Sequence, residues 1–175
     1  MNEYNPHFAE KLIEAAEYIS HNLEEVESQR TVLYLSFLSC EISLKFILEN
    51  AGYEIIKIIK FSHKIKELLD EISINVEFKR QVTPQEKMWI SAAAIRGTTV
   101  CYQEMKSTVG KILALEEKSV SKYPTEIRYG RNIYHYPPEI LLDTAKGVLN
   151  WANENTGNLR VKQLNNQCGR NKCTR

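Results

Sequence analysis

Ten large apolar residues crowd the stretch from Val32 to Leu48: Val32, Leu33, Leu35, Phe37, Leu38, Ile42, Leu44, Phe46, Ile47 and Leu48. At roughly 100° per residue they cover nearly the whole circumference of a helix, and a helix apolar all round belongs at the centre of the packing. The spacing predicts this helix over Thr31 to Asn50, with Gly52 placed for a left-handed stop. Ser36, Ser39, Glu41, Ser43 and Lys45 interrupt the run, which therefore falls short of the roughly 20 apolar residues of a membrane span. Glu41 is an acid on an otherwise apolar helix and needs a partner. Lys45, four residues on, can pair with it where the helix meets water, or an arginine from elsewhere can serve.

The remainder of the chain supplies helices to surround that core. Asn5-Pro6 is a capping residue followed by proline at the first helical position, and Phe8, Leu12, Ala15, Ile19, Leu23 and Val26 recur behind it on one predicted face. Ile55 to Ile59 is either a helical turn or an extended connector. Ser62 is expected to cap a short helix with Ile65, Leu68, Leu69 and Ile72 inward, and His63 beside it reads as a helix-start residue. Thr83-Pro84-Gln85-Glu86 matches a capping box, predicting a helix that carries Trp89, Ala93, Arg96 and Val100, breaks near Gly97 and runs on towards Leu115. A last helix is expected from Pro137 or Pro138 to near Gly157, with Ile140, Leu141, Ala145, Val148, Leu149 and Ala152 inward.

Only seven glycines punctuate the chain, and no pair of strand-like runs is joined by a hairpin signal. The fold class expected is therefore all-α, an up-and-down bundle of about five helices over residues 1–157. Residues 158–175, with five basic and no acidic side chains, are expected to form a polar, mobile tail. The start Met1-Asn2-Glu3-Tyr4 lacks a basic region followed by an apolar stretch, so the cytoplasm is the expected location and the four cysteines are expected reduced. Cys168 and Cys173 have no histidine nearby, so neither a metal nor another cofactor is expected.

A net charge of +1 creates no global field, so any anion site must be local. The strongest local candidate is the segment from Glu126 to Tyr136, which holds Arg128, Tyr129, Arg131, Asn132, Tyr134 and His135 just before the last helix. A helix N-terminus favours anions, guanidinium forks match phosphate, and tyrosines stack on bases. Positive surroundings are expected to lower the pKa of His135 and keep it neutral, as a general base requires. The same segment also reads as a connector lying over the end of a bundle. Sequence alone leaves both readings open, and it assigns no role to His7 or His21.

Three stretches together resemble the HEPN family. They are Ser39-Cys40-Glu41-Ile42-Ser43-Leu44-Lys45-Phe46-Ile47-Leu48, then Ser62-His63-Lys64-Ile65-Lys66-Glu67-Leu68-Leu69, then Ile127-Arg128-Tyr129. The second is similar to the family's Gly/Ser-His-Asp-Leu-x-x-Leu-Leu with lysine for aspartate, and the third to its Arg-Tyr-Pro step with glycine for proline. Order and spacing match over roughly residues 6 to 156.

The resemblance implies a two-fold homodimer with the loop before the last helix lining the cleft. It implies nucleotide or RNA as ligand, and a nucleotidyltransferase-like antitoxin as partner in a toxin–antitoxin or defence setting. Catalytic members are metal-independent ribonucleases with an arginine, four to six intervening residues, then a histidine. Arg128 and His135 have six between them, Arg131 and His135 three, and Arg96 and Cys101 four, with cysteine in the histidine's place. The expectation is a binding and dimerisation protein, with an endoribonuclease using Arg128 and His135, or a structural adaptor, as alternatives.

Overall fold

The computed structural model describes residues 3–21, 25–114 and 120–163. Within them, α1 (Pro6–Ser20) packs along α2 (Val26–Asn50), and α7 (Pro138–Asn155) packs on both. α2 is the central element, as its composition requires: Phe37, Leu44, Ile47 and Leu48 are fully buried. By length and composition it is long enough to cross a membrane, yet 72% of its most apolar window is buried inside the fold. It is accounted for as a core helix.

The buried face of α1 is Ala9, Leu12, Ile13 and Ala16, one residue round from the face expected, and Phe8 is 53% exposed. Small alanines at two of these positions let the α2 backbone approach, and the Ser39 hydroxyl donates to the Ala9 carbonyl at 2.9 Å. The chain stops α2 at Gly52, which takes the left-handed φ of +98° that a side chain would resist. Two short helices follow, α3 (Ile55–Ile59) and α4 (Ile65–Asn75), the latter burying the four residues expected. Ser62 does not cap α4; it sits at φ +50° in the turn, and no side chain caps that helix.

The chain is not all-α. Among the described residues it forms five strands, four between α4 and α7 and one after α7, in two antiparallel sheets. One is ordered β2 (Lys87–Ser91), β1 (Val76–Gln81), β5 (Leu159–Val161), and the other pairs β3 (Thr99–Tyr102) with β4 (Met105–Thr108). The predicted capping box is the turn of the β1–β2 hairpin. Its local chemistry does form, since the Glu86 N–H donates to the Thr83 hydroxyl at 3.0 Å, but Val82 N–H also reaches back to the Glu86 carbonyl at 3.0 Å and closes a hairpin. Val76 and Phe78 alternate inward on β1, a period of two that a helix could not bury on one face. Phe78 meets Trp151 of α7 edge-on at 5.5 Å.

The helix expected to continue through Gly97 to Leu115 is instead a 3₁₀ turn (Ala92–Gly97), the β3–β4 hairpin and a short α5 (Val109–Leu113). The β-branched run Thr98-Thr99-Val100 favours strand over helix. Gly110 does not loosen a helix: a Cβ there would sit 2.9 Å from that of Arg96, so the glycine permits a close approach. β3 lies against α7, where the Cys101 N–H donates to Asp143 at 2.8 Å.

The boundary expected at residue 157 also shifts. Leu159–Val161 is the third strand of the first sheet, with Arg160 ion-paired to its cross-strand neighbour Glu77 at 3.0 Å and lying 3.9 Å over the Trp89 ring. Residues 164–175 of the expected tail, and with them Cys168 and Cys173, lie outside the described residues.

Candidate functional site

The loop before α7 is held at three points. A five-residue helix, α6 (Thr125–Tyr129), ends at Gly130, whose N–H donates to the Glu126 carbonyl at 2.7 Å. Proline could not make that bond, and a Cβ at this position would stand 2.3 Å from the same oxygen. Glycine is therefore what this turn admits. Arg30 of α2 then donates from one terminal nitrogen to the carbonyls of Ile127 (3.1 Å) and Gly130 (2.8 Å), while its Nε lies 3.2 Å from Glu27. Further on, Ser121 and Tyr134 exchange two bonds, N–H to carbonyl at 2.6 Å and N–H to hydroxyl at 2.9 Å. Neither Arg30 nor Ser121 was singled out by sequence reading, because their partners are peptide groups far along the chain.

Between this loop and the first turn of α2 lies an open cavity of about 520 Å³. Arg131, Asn132, Tyr134 and His135 line it, opposite Val26 and Gln29. The first turns of α2 and α7 both border it and neither is capped by a side chain, but Glu27 and Glu139 stand in those turns and offset their positive ends, so Arg131 is the cation of the lining. Among the described residues the ion-paired arginines are Arg30, Arg96 and Arg160; Arg128 and Arg131 have no carboxylate partner.

The predicted site residues therefore divide. Arg131, Asn132, Tyr134 and His135 come together, whereas Arg128 and Tyr129 do not line the cavity. Arg128 is exposed and lies over the rings of Tyr34 (5.4 Å) and Tyr129 (5.1 Å). Arg96 is occupied structurally, bonded to Asp70 and to the Ser73 hydroxyl, so the Arg96–Cys101 spacing assembles no site.

His135 is neutral, as expected, but for a different reason. Burial, not neighbouring charge, lowers its pKa to about 4, with the Tyr136 backbone pulling slightly the other way. Its ring packs edge-on against Phe37 at 5.0 Å, and both ring nitrogens are sealed from solvent with no well-formed hydrogen bond. A general base must reach the proton it removes. Neither nitrogen of this imidazole is open to the cavity.

A second polar cluster stands close by. Glu41 is 4% exposed, and its carboxylate accepts from Lys45 at 2.7 Å, from His63 Nδ1 at 2.9 Å and from the Tyr123 hydroxyl at 2.9 Å. The expected Glu41–Lys45 pair is present, but buried and not at the water's edge. Tyr123 stacks on Phe37 at 5.4 Å, and its own hydroxyl is driven far above the usual tyrosine range by burial and by the Glu41 charge. His63 is thus tied into the core by a carboxylate 22 residues away, beyond its role in starting a helix.

Among the described residues no group of three or more His, Cys, Asp or Glu side chains is placed to hold a metal ion. Compared with family models, curated proteins and solved structures, the chain matches none.

Proposed function

We propose that this chain is a HEPN-type binding and dimerisation protein that takes a phosphate-bearing ligand, nucleotide or single-stranded RNA, in the cavity between α2 and the loop before α7. The observation that carries the reading is Arg131, which has no carboxylate partner among the described residues, beside Asn132 and an exposed Tyr134 on an open wall bordered by the first turns of α2 and α7, neither with a side-chain cap. The guanidinium supplies phosphate contacts, and the tyrosine supplies a stacking face. Arg128, stacked on two tyrosines outside the cavity, extends the cationic track along the surface. The family resemblance adds a two-fold partner copy and a nucleotidyltransferase-like antitoxin.

Fluorescence anisotropy with a labelled single-stranded RNA at low salt tests this. Arg131→Ala is expected to weaken binding about tenfold, and Arg128→Ala less, each removing a charge-assisted contact. Unchanged affinity in Arg131→Ala would sink the proposal, and a monomer by light scattering would remove the dimer.

The endoribonuclease reading has one observation in its favour, a neutral His135 beside Arg131, and one against, the sealed ring nitrogens. It requires the loop to open. It predicts cleavage in chelator, leaving 2′,3′-cyclic phosphate ends, that is lost in His135→Ala.

A further inference from the structure

The cavity before α7 leaves His63 unused. This residue stands in the turn between α3 and α4, with Nδ1 bound to Glu41. A carboxylate already filled by Lys45 and Tyr123 is fixed in place, and it fixes the imidazole in turn. The Glu41 carboxylate accepts the Nδ1–H hydrogen bond, which leaves Nε2 as the ring nitrogen not bound to Glu41. The His63 side chain is 55% exposed, so that atom belongs to a surface feature, unlike the nitrogens of His135.

The feature is a depression of about 150 Å³ that shares no lining residue with the cavity before α7. The partly exposed Tyr123 ring and the edge of Ile65 give it an apolar floor over the buried Phe37 and Leu113, and Lys64, Lys66 and Lys122 stand with His63 around it. Lys64 is paired with Glu67, and Lys66 with Asp70, which Arg96 also neutralises. Lys122 has no carboxylate on its ammonium group among the described residues; only its backbone N–H is taken, by Glu126 at 2.8 Å. The arrangement is a pre-oriented imidazole beside an ammonium that has no carboxylate partner among the described residues.

We propose that this depression is a second anion site, for a phosphate monoester on a compact apolar or aromatic stem. The phosphate oxygens are held by Nε2 of His63 and Nζ of Lys122, and the stem rests on the apolar floor. With Nδ1–H given to Glu41, Nε2 accepts from the P–OH of the monoanionic phosphate, and the Lys122 ammonium donates to its remaining oxygens. The alternative is that the Glu41 network serves only to join α2, the α3–α4 turn and the Tyr123 segment, in which case no ligand perturbs His63.

The full chain labelled with ¹⁵N at histidine, titrated with inorganic phosphate and with phenyl phosphate, separates the two. Saturable movement of the His63 Nε2 resonance is expected, with phenyl phosphate several-fold tighter than phosphate because its ring covers apolar surface. The exposed His7 and His21 serve as internal controls. Lys122→Glu, a surface change, is expected to weaken the effect about tenfold without altering the melting temperature. Arg131→Ala leaves it unchanged, which distinguishes this site from the one before α7. The proposal is overturned if His63 drifts linearly like the two controls, if phosphate and phenyl phosphate act alike, or if Lys122→Glu titrates as wild type.

Discussion

Two histidines neighbour Phe37, His135 directly and His63 through Tyr123, and their environments are opposites. His63 is half in water yet held by a buried carboxylate, while His135 is largely buried with its ring packed against Phe37. A histidine beside an arginine in sequence reads as catalytic machinery, but access of the ring nitrogens decides what the ring can do. By that measure the better-prepared imidazole is His63, the one that sequence reading set aside.

The contrast can be broken first at Glu41. Glu41→Ala leaves Lys45 buried without its counter-ion and orphans two further donors, so a loss of about 3–5 kcal/mol is expected in urea denaturation. Replacing the pair together, Glu41→Leu with Lys45→Met, is expected to cost clearly less than the single change, because no charge is then stranded. A double variant as unstable as Glu41→Ala would show that the pair is not what makes the site costly to disturb.

His135 gives the next largest effect, through pH. Its folded-state pKa lies below the ordinary 6.5, at about 4, so the unfolded chain binds the proton more readily. Stability is therefore undiminished above about pH 6.5 and declines as pH falls towards 4, by at most about 3 kcal/mol from this residue. His135→Phe keeps the ring packing and removes that part of the slope. If denaturation midpoints of wild type and His135→Phe fall in parallel between pH 6.5 and 4, the residue is not buried neutral.

Smaller changes sharpen the picture. Arg30→Ala loses both bonds that tie the end of α6 to α2, for about 1–3 kcal/mol. It is also expected to reduce RNA binding, because the loop carrying Arg131 loses an anchor. Smallest is His63→Ala: the side chain is half exposed and Glu41 retains two donors, so less than about 1 kcal/mol is expected by thermal melting.

Helix positions were legible wherever burial has a period near 3.6. The inward residues of α4 and α7 are those the pattern marks, and α2 is central as its composition requires. The sheets were not legible, because Thr83-Pro84-Gln85-Glu86 makes the same side-chain bond in a hairpin turn as at a helix start. The local signal was real and the chain on either side overrode it. Of the candidate site, the clustering of Arg131, Asn132, Tyr134 and His135 follows from their closeness in sequence. The Tyr123–Glu41 bond spans 82 residues, and no spacing rule reaches that far.

The third strand of the first sheet carries a practical consequence. A chain cut after Gly157, where composition shifts towards polar and basic, would lose β5 along with the residues beyond it. Glu77 would forfeit Arg160, Phe78 would lose the cover of Leu159, and β1 would be left with an open row of amide groups on that side. Such a shortened protein is expected to stick to itself at concentrations where the longer one stays dispersed, for reasons unrelated to any ligand.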